Sequence, residues 1–254
     1  MAHTKKWMFM FHGNIFFRYN NQDIGNKGLR GDSKFDVPNW FMGMGQTRVG
    51  NRGLFRFSVM LSLDPLTIGG EGYPLLFQSG ETWDGKPLVD RQHPHDLFSE
   101  LSVGYTHMIS KEVDVFAYLG LPGEPAFGPV AFMHRVSSLY NPDAPIGHHW
   151  QDATHISLNT TTVYGKYEWV EKSTEDLLLD EDKYGHGVLF PVNAISLGIQ
   201  QSLFATLKTN MAVGAQGSWY SAGNHLEELY GKNPLALQFY LRVYPGLMGG
   251  GAGK

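Results

Sequence analysis

Leu54-Phe55-Arg56-Phe57-Ser58-Val59-Met60-Leu61-Ser62-Leu63 alternates along its whole length. Phe55, Phe57, Val59, Leu61 and Leu63 share one face, and Arg56, Ser58, Met60 and Ser62 share the other. Successive side chains of an extended chain point to opposite sides, so this period of two predicts a strand with one apolar and one polar face. Residues 235–243 repeat the pattern, with Leu237, Phe239 and Leu241 apolar and Arg242 on the opposite side. Weaker versions occupy 195–200, 211–219 and 113–119, and further strands are expected at 7–19, 39–47, 97–109 and 163–170. The total is about nine or ten, most of them near the length a tilted membrane strand requires.

Composition points the same way. Glycine is abundant at 31 residues, aromatics reach 13% and charged residues only 17%, which suits many strands and tight turns better than a helical bundle. The net charge of −4 argues against nucleic acid as a partner. Cysteine is absent, which removes disulfides, thiolate metal sites and cysteine nucleophiles together. No apolar run is long enough for a transmembrane helix. Residues 7–11 are apolar behind a charged start, but His12, Gly13 and Asn14 interrupt them. They are expected to form a strand, with any export signal lying outside this sequence. With no linker or composition break, residues 1–254 are expected to be a single β-barrel domain, with a loop-rich histidine segment at 64–154.

Two architectures satisfy the alternation. A soluble sandwich turns its apolar faces inward, whereas an outer-membrane barrel turns them to lipid and keeps a polar lumen. Trp7, Trp40, Trp169, Trp219, Tyr220 and Tyr244 fall near expected strand ends, as interfacial girdles do. Connections are unequal: 49–53 and 110–112 are short, while 64–96 and 122–154 are long. The expected fold is therefore an all-β, antiparallel, transmembrane-type barrel of about 8–10 strands with long loops at one rim, and its first partner is a lipid bilayer. Apolar parity changes between Ile156/Leu158 and Val163/Tyr167, which requires a bulge or a turn near Asn159-Thr160. The acidic segment 171–187 reads as a solvated loop.

Seven of the eleven histidines fall between Asp90 and His155. In Asp90-Arg91-Gln92-His93-Pro94-His95-Asp96, an extended backbone would point His93 and His95 the same way, with Pro94 holding the chain between them. Asp90, Asp96 and Arg91 flank the pair. His134 lies beside Arg135, and His148 and His149 follow the stiff Pro/Gly segment that contains Glu124. His93, His95, His134 and one of His148 or His149 are expected to converge near Asp96 and Arg135. Imidazole and carboxylate ligands without thiolates suit a divalent transition metal such as Cu or Zn. A hydrogen-bonded plug is nevertheless preferred to a metal site, because buried polar groups on rigid loops need partners and the spacing matches no specific ligand motif.

These motifs resemble a family of uncharacterised bacterial outer-membrane-type barrel proteins. The resemblance runs through Gly72-Tyr73-Pro74, Asp90 to Phe98, Gly123-Glu124-Pro125-Ala126-Phe127-Gly128-Pro129-Val130-Ala131-Phe132-Met133-His134-Arg135 and Gly147-His148-His149. It continues through Tyr164 to Lys172, Phe190-Pro191-Val192-Asn193-Ala194 and Tyr230-Gly231-Lys232-Asn233-Pro234. It implies a barrel in the bacterial outer membrane, and this chain departs from the family in lacking strands between His155 and Val163. Members resemble neighbours of heavy-metal resistance systems but have no settled activity, so the resemblance bears on fold and location far more than on function. The expected role is binding or passage of a small solute or a metal ion, with a mainly structural barrel or surface-interaction protein as the alternative.

A second constellation is thioether-rich. If the apolar parity of the first three strands faces lipid, Met8, Met10 and His12 point inward on the first, Met42 and Met44 on the second, and Met60 with Arg56 on the third. Thioethers favour soft Cu(I), although methionine also simply fills a small lumen. No Gly-x-Ser-x-Gly elbow and no phosphate-binding glycine loop is present, so catalysis ranks below binding, passage or a structural role.

Overall fold

A computed structural model describes residues 2–25, 28–121, 140, 142–143, 153–158, 160–206 and 209–246. The longer strands are β1 (Trp7–Gln22), β2 (Asp32–Asp36), β3 (Asn39–Val49), β4 (Gly53–Leu61), β5 (Phe98–Met108), β6 (Asp114–Gly120), β7 (Ala153–Leu158), β8 (Thr161–Ser173), β9 (Leu189–Ala205), β10 (Thr209–Ser221) and β11 (Leu235–Pro245). Ten of them form one antiparallel path in the order β6-β5-β4-β3-β1-β11-β10-β9-β8-β7. β2 extends the partnership of β3 along β1, and Pro38 stands between the two because proline cannot donate to a ladder. Among the described residues, the outer edges of β6 and β7 have no strand partner.

The first strand binds the last, with Ile15 opposite Val243 and Gln22 opposite Ala236. That pairing brings the N- and C-terminal strands together and makes the whole sheet one barrel-type wall. β3–β4, β5–β6, β7–β8 and β9–β10 are joined by short turns at one rim, and the long connections all lie at the other. The parity change near residue 159 is resolved by the β7–β8 turn rather than a bulge, with Leu158 opposite Thr161.

Side-chain exposure follows the alternation. On β11, Ala236, Gln238, Tyr240 and Arg242 are buried inside, while Leu235, Leu237, Phe239 and Leu241 face outward. On β9, Ile195, Leu197 and Ile199 stand outside, Leu197 at 64% exposure. In water such a surface would be costly at roughly 25 cal/mol per Å² of apolar area, so its natural medium is lipid. Trp7 stacks on Phe9 at 5.7 Å and meets Phe57 at 5.8 Å, forming an aromatic patch toward the short-turn rim. The Phe57 ring lies over Gly45, where a Cβ would come within 2.5 Å of it.

Two expectations need correction. The strand through Phe57 stops at Leu61, and Leu63 instead precedes a short helix, α1 (Asp64–Thr67), with Pro65 in its first turn. The acidic segment 171–187 is not wholly solvated. Glu171 and Lys172 belong to β8, and Leu177 and Leu179 are buried in an apolar core. An apolar side chain within an acidic loop gains more by docking than by remaining in water.

Candidate functional site in the lumen

The apolar core at the long-loop rim is built from the connection between β4 and β5. Tyr73, Leu75, Leu76 and Phe77 fold inward and pack on Val192, Ala194, Tyr220, Leu226, Tyr230 and Ala236. Phe77 is completely buried and stacks on Tyr230, with ring centroids 4.1 Å apart. The backbone of this plug is tied to the wall. Asn20 Nδ2 donates to the Pro74 carbonyl at 2.7 Å, the Leu76 N–H donates to Gln22 Oε1 at 3.3 Å, and Lys172 Nζ donates to Ser79 Oγ at 2.9 Å. A small hairpin pairs Tyr73 with Gln92, and Gly72 approaches the Gln92 carbonyl so closely that a Cβ would lie 1.8 Å from that oxygen. At φ +69°, only glycine fits there comfortably.

Asp90 is the polar centre of the plug. Its Oδ1 accepts from the Phe77 N–H at 2.7 Å, and its Oδ2 accepts from Tyr230 OH at 3.0 Å and from Arg30 Nη1 at 3.2 Å. Burial pushes its carboxyl up to about 6, against the opposing pull of the Phe77 amide and Arg30. A carboxyl raised in the folded state makes docking most favourable below its ordinary range, and the advantage is lost as pH rises through about 6. The plug should therefore open less at pH 5 than at pH 7, by roughly tenfold. Hydrogen exchange at the Leu76 and Phe77 amides checks this. Asp90→Asn should flatten the pH dependence, and an unchanged slope in that variant would place the titrating group elsewhere.

His95 Nδ1 lies 2.6 Å from Asp64 Oδ2, and the same carboxylate accepts from the Asn39 N–H through Oδ1 at 2.8 Å. His93 lies against Trp83, with ring centroids 6.4 Å apart. Asp96 is exposed, and Arg91 reaches the Glu71 carbonyl and the Asp32 carboxylate at the rim. Asp90 thus serves Phe77, Arg30 and Tyr230, and the carboxylate that orients His95 is Asp64. The sequence reading missed that acid, which stands far from the histidine motif along the chain. Glu124, His134, Arg135, His148 and His149 lie outside the described residues.

Below the plug, the inner wall carries a charged band. Arg18 is fully buried and donates from Nε to Asp36 Oδ1 at 2.7 Å and from Nη2 to Asp36 Oδ2 at 2.6 Å. Its Nη1 donates to Asp143 Oδ1 at 2.7 Å and to the Pro142 carbonyl at 2.9 Å. Gln216 and Gln238 donate to the other Asp143 oxygen, and Tyr73 covers the guanidinium at 4.2 Å. Residues 142–143, in the connection between β6 and β7, are thereby bound to the inner wall. Toward the short-turn rim, Tyr164 and Tyr240 meet through their hydroxyls at 3.1 Å, each lying over a glycine of the neighbouring strand, Gly198 and Gly214. Arg242 then donates to Asn14 Oδ1 at 2.6 Å and to Gln200 Oε1 at 3.3 Å. Arg56 is exposed on the same face and lies 4.4 Å over Phe116.

The thioether wall is also present. Met10 is opposite Met44, His12 opposite Met42 and Met8 opposite Gln46. Met42 is in turn opposite Met60. Met42 and Met60 are buried, and Met8, Met10 and Met44 are half-buried.

No family model matches the chain, and no curated protein matches it. Among solved structures it is similar to the trimeric, in-vitro folded form of the outer-membrane protein OmpT of Vibrio cholerae, at 9% identity and a TM-score of 0.30, covering 95% of this chain and 99% of that one. It is also similar to a mutant form of the Rh. blastica porin, at 10% identity and a TM-score of 0.23, covering 93% of this chain and 100% of that one. The class of protein rests on the chain's own strands: an antiparallel, all-β sheet of transmembrane-barrel type, with its long loops at one rim.

Proposed function

We propose that this chain is an outer-membrane barrel protein of bacteria that binds or passes a small solute, a polar molecule or a metal ion, through a lumen narrowed by inward-folded loops. The observation that carries this reading is the contrast between faces. Leu197, Ile199 and Phe239 stand outward to meet lipid, while Arg18, Gln216, Gln238 and Arg242 line the inside. A polar wall inside an apolar belt is what a water-filled or solute-filled path requires.

A second reading is a mainly structural barrel whose loops present a surface. It is favoured by the fully buried Phe77 and by the commitment of His95 to Asp64, both of which suit a permanent plug. Planar-bilayer recording separates the two. A passage protein should give discrete conductance steps, and Phe77→Ala should raise the open fraction severalfold by weakening the plug's main apolar anchor. Silent bilayers with both proteins, each inserted and folded, would leave the structural reading.

A further inference from the structure

The inner faces of four adjacent strands carry one continuous row. His12 on β1 is opposite Met42 on β3, Met42 is opposite Met60 on β4, and Met60 is opposite Glu100 on β5. Side chains of directly opposed residues share a face, with Cβ atoms about 5 Å apart. Two flexible thioethers therefore lie between an imidazole and a carboxylate. The neighbouring row adds Met10 opposite Met44, and Gln46 Nε2 donates to Met8 Sδ at 3.4 Å. Five of the chain's ten methionines are thus gathered on one side of three strands, which random filling of a lumen does not require.

The carboxylate supplies an independent observation. Glu100 is buried at 4% exposure, its Oε1 accepts from Ser102 Oγ at 2.5 Å, and its Oε2 has no hydrogen-bond partner among the described residues. An anionic oxygen shut away from water without a donor costs several kcal/mol unless a positive charge lies beside it. Ser58 Oγ, two residues before Met60 on the same face, is likewise buried without a partner among the described residues.

We propose that this row is a binding site for a soft monovalent cation of the Cu(I) or Ag(I) type. Met42 and Met60 supply the thioether sulfurs, His12 an imidazole nitrogen, and Glu100 the compensating charge. The donor set decides the class of ion. Thioethers bind soft d10 monovalent ions well and hard ions such as Mg2+ or Ca2+ poorly. A single carboxylate balances one positive charge, so a monovalent ion leaves the site neutral within a low-dielectric wall. The site does not depend on conduction, because binding is read without any transport.

Ag+ is the probe, since it needs no reductant. Protein folded in detergent and labelled at the methionine methyls should take up one Ag+ per chain, with the Met42 and Met60 resonances moving most. Met211, on the outer face of β10 opposite Val243, should stay still. Glu100→Gln keeps shape and removes charge, and should weaken binding at least tenfold. Met42→Leu combined with Met60→Leu nearly conserves volume and should abolish binding. Absence of stoichiometric uptake by the wild-type protein would overturn the proposal, as would binding that leaves both methyls unmoved. So would displacement of Ag+ by an equal concentration of Zn2+. Because the wild-type spectrum alone can refute the site, a variant that fails to fold does not protect it.

Discussion

Phe57→Arg is expected to prevent assembly into lipid, while Ser58→Arg, one residue along the same strand, is expected to assemble nearly as well as the native chain. Phe57 faces outward in the aromatic patch with Trp7 and Phe9, so its replacement removes that packing and puts a cation on the lipid face. A lipid-facing arginine costs about 2–4 kcal/mol at the bilayer midplane and less near the interface. Loss of a large aromatic contact adds a further one or two kcal/mol, roughly. Ser58 lies on the inner face opposite Met44 and Ser102, with the buried Glu100 carboxylate at the adjoining position as a partner for the new charge. The measurement is the folded fraction in lipid vesicles, followed by the urea midpoint of whatever folds. Equal tolerance of both changes, or a monomer that folds in water without detergent, would return the protein to the class of soluble sandwiches.

The contrast between positions 57 and 58 was readable from the sequence because a strand repeats every two residues, and burying one face makes that repeat obligatory. Parity alone assigned Met8, Met10, His12, Met60, Arg56 and Arg242 to the inward side. What parity could not supply was pairing across distance. Nothing near His95 along the chain identifies Asp64 as the carboxylate on its ring, because the two meet only when the loop returns to the end of β4. The plug left a trace that alternation does not explain: Leu75-Leu76-Phe77 is a consecutive apolar run between Pro74 and Gly80, and Leu177-Leu178-Leu179 interrupts an acidic segment. Short apolar runs in loops are where a chain docks on itself, and both runs reach the same core. Asp36 stands on a short strand that alternation did not mark, yet it holds the most deeply buried arginine among the described residues.

That arginine carries the largest expected loss of stability. Arg18→Met should lower the stability of the folded barrel by about 3–5 kcal/mol, the usual result of removing one partner from a buried ion pair. The reason is what remains behind. Asp36 and Asp143 both lie on the guanidinium with almost no solvent contact, and without it two carboxylates would share a buried space. Gln216 and Gln238 still donate to Asp143, so Asp36 should suffer most. Adding Asp36→Asn to Arg18→Met should recover more than half of the loss, and adding Asp143→Asn as well should recover most of the remainder. Thermal melting in detergent, run as a full cycle of single and combined variants, gives the coupling directly. A second readout tests where the band sits. Because Arg18 holds both the Pro142 carbonyl and Asp143 on the wall, the single variant should speed proteolysis within the β6–β7 connection before the sheet itself melts. Additive losses with no recovery in the combined variants would mean that Arg18 acts through its packing under Tyr73 rather than through charge.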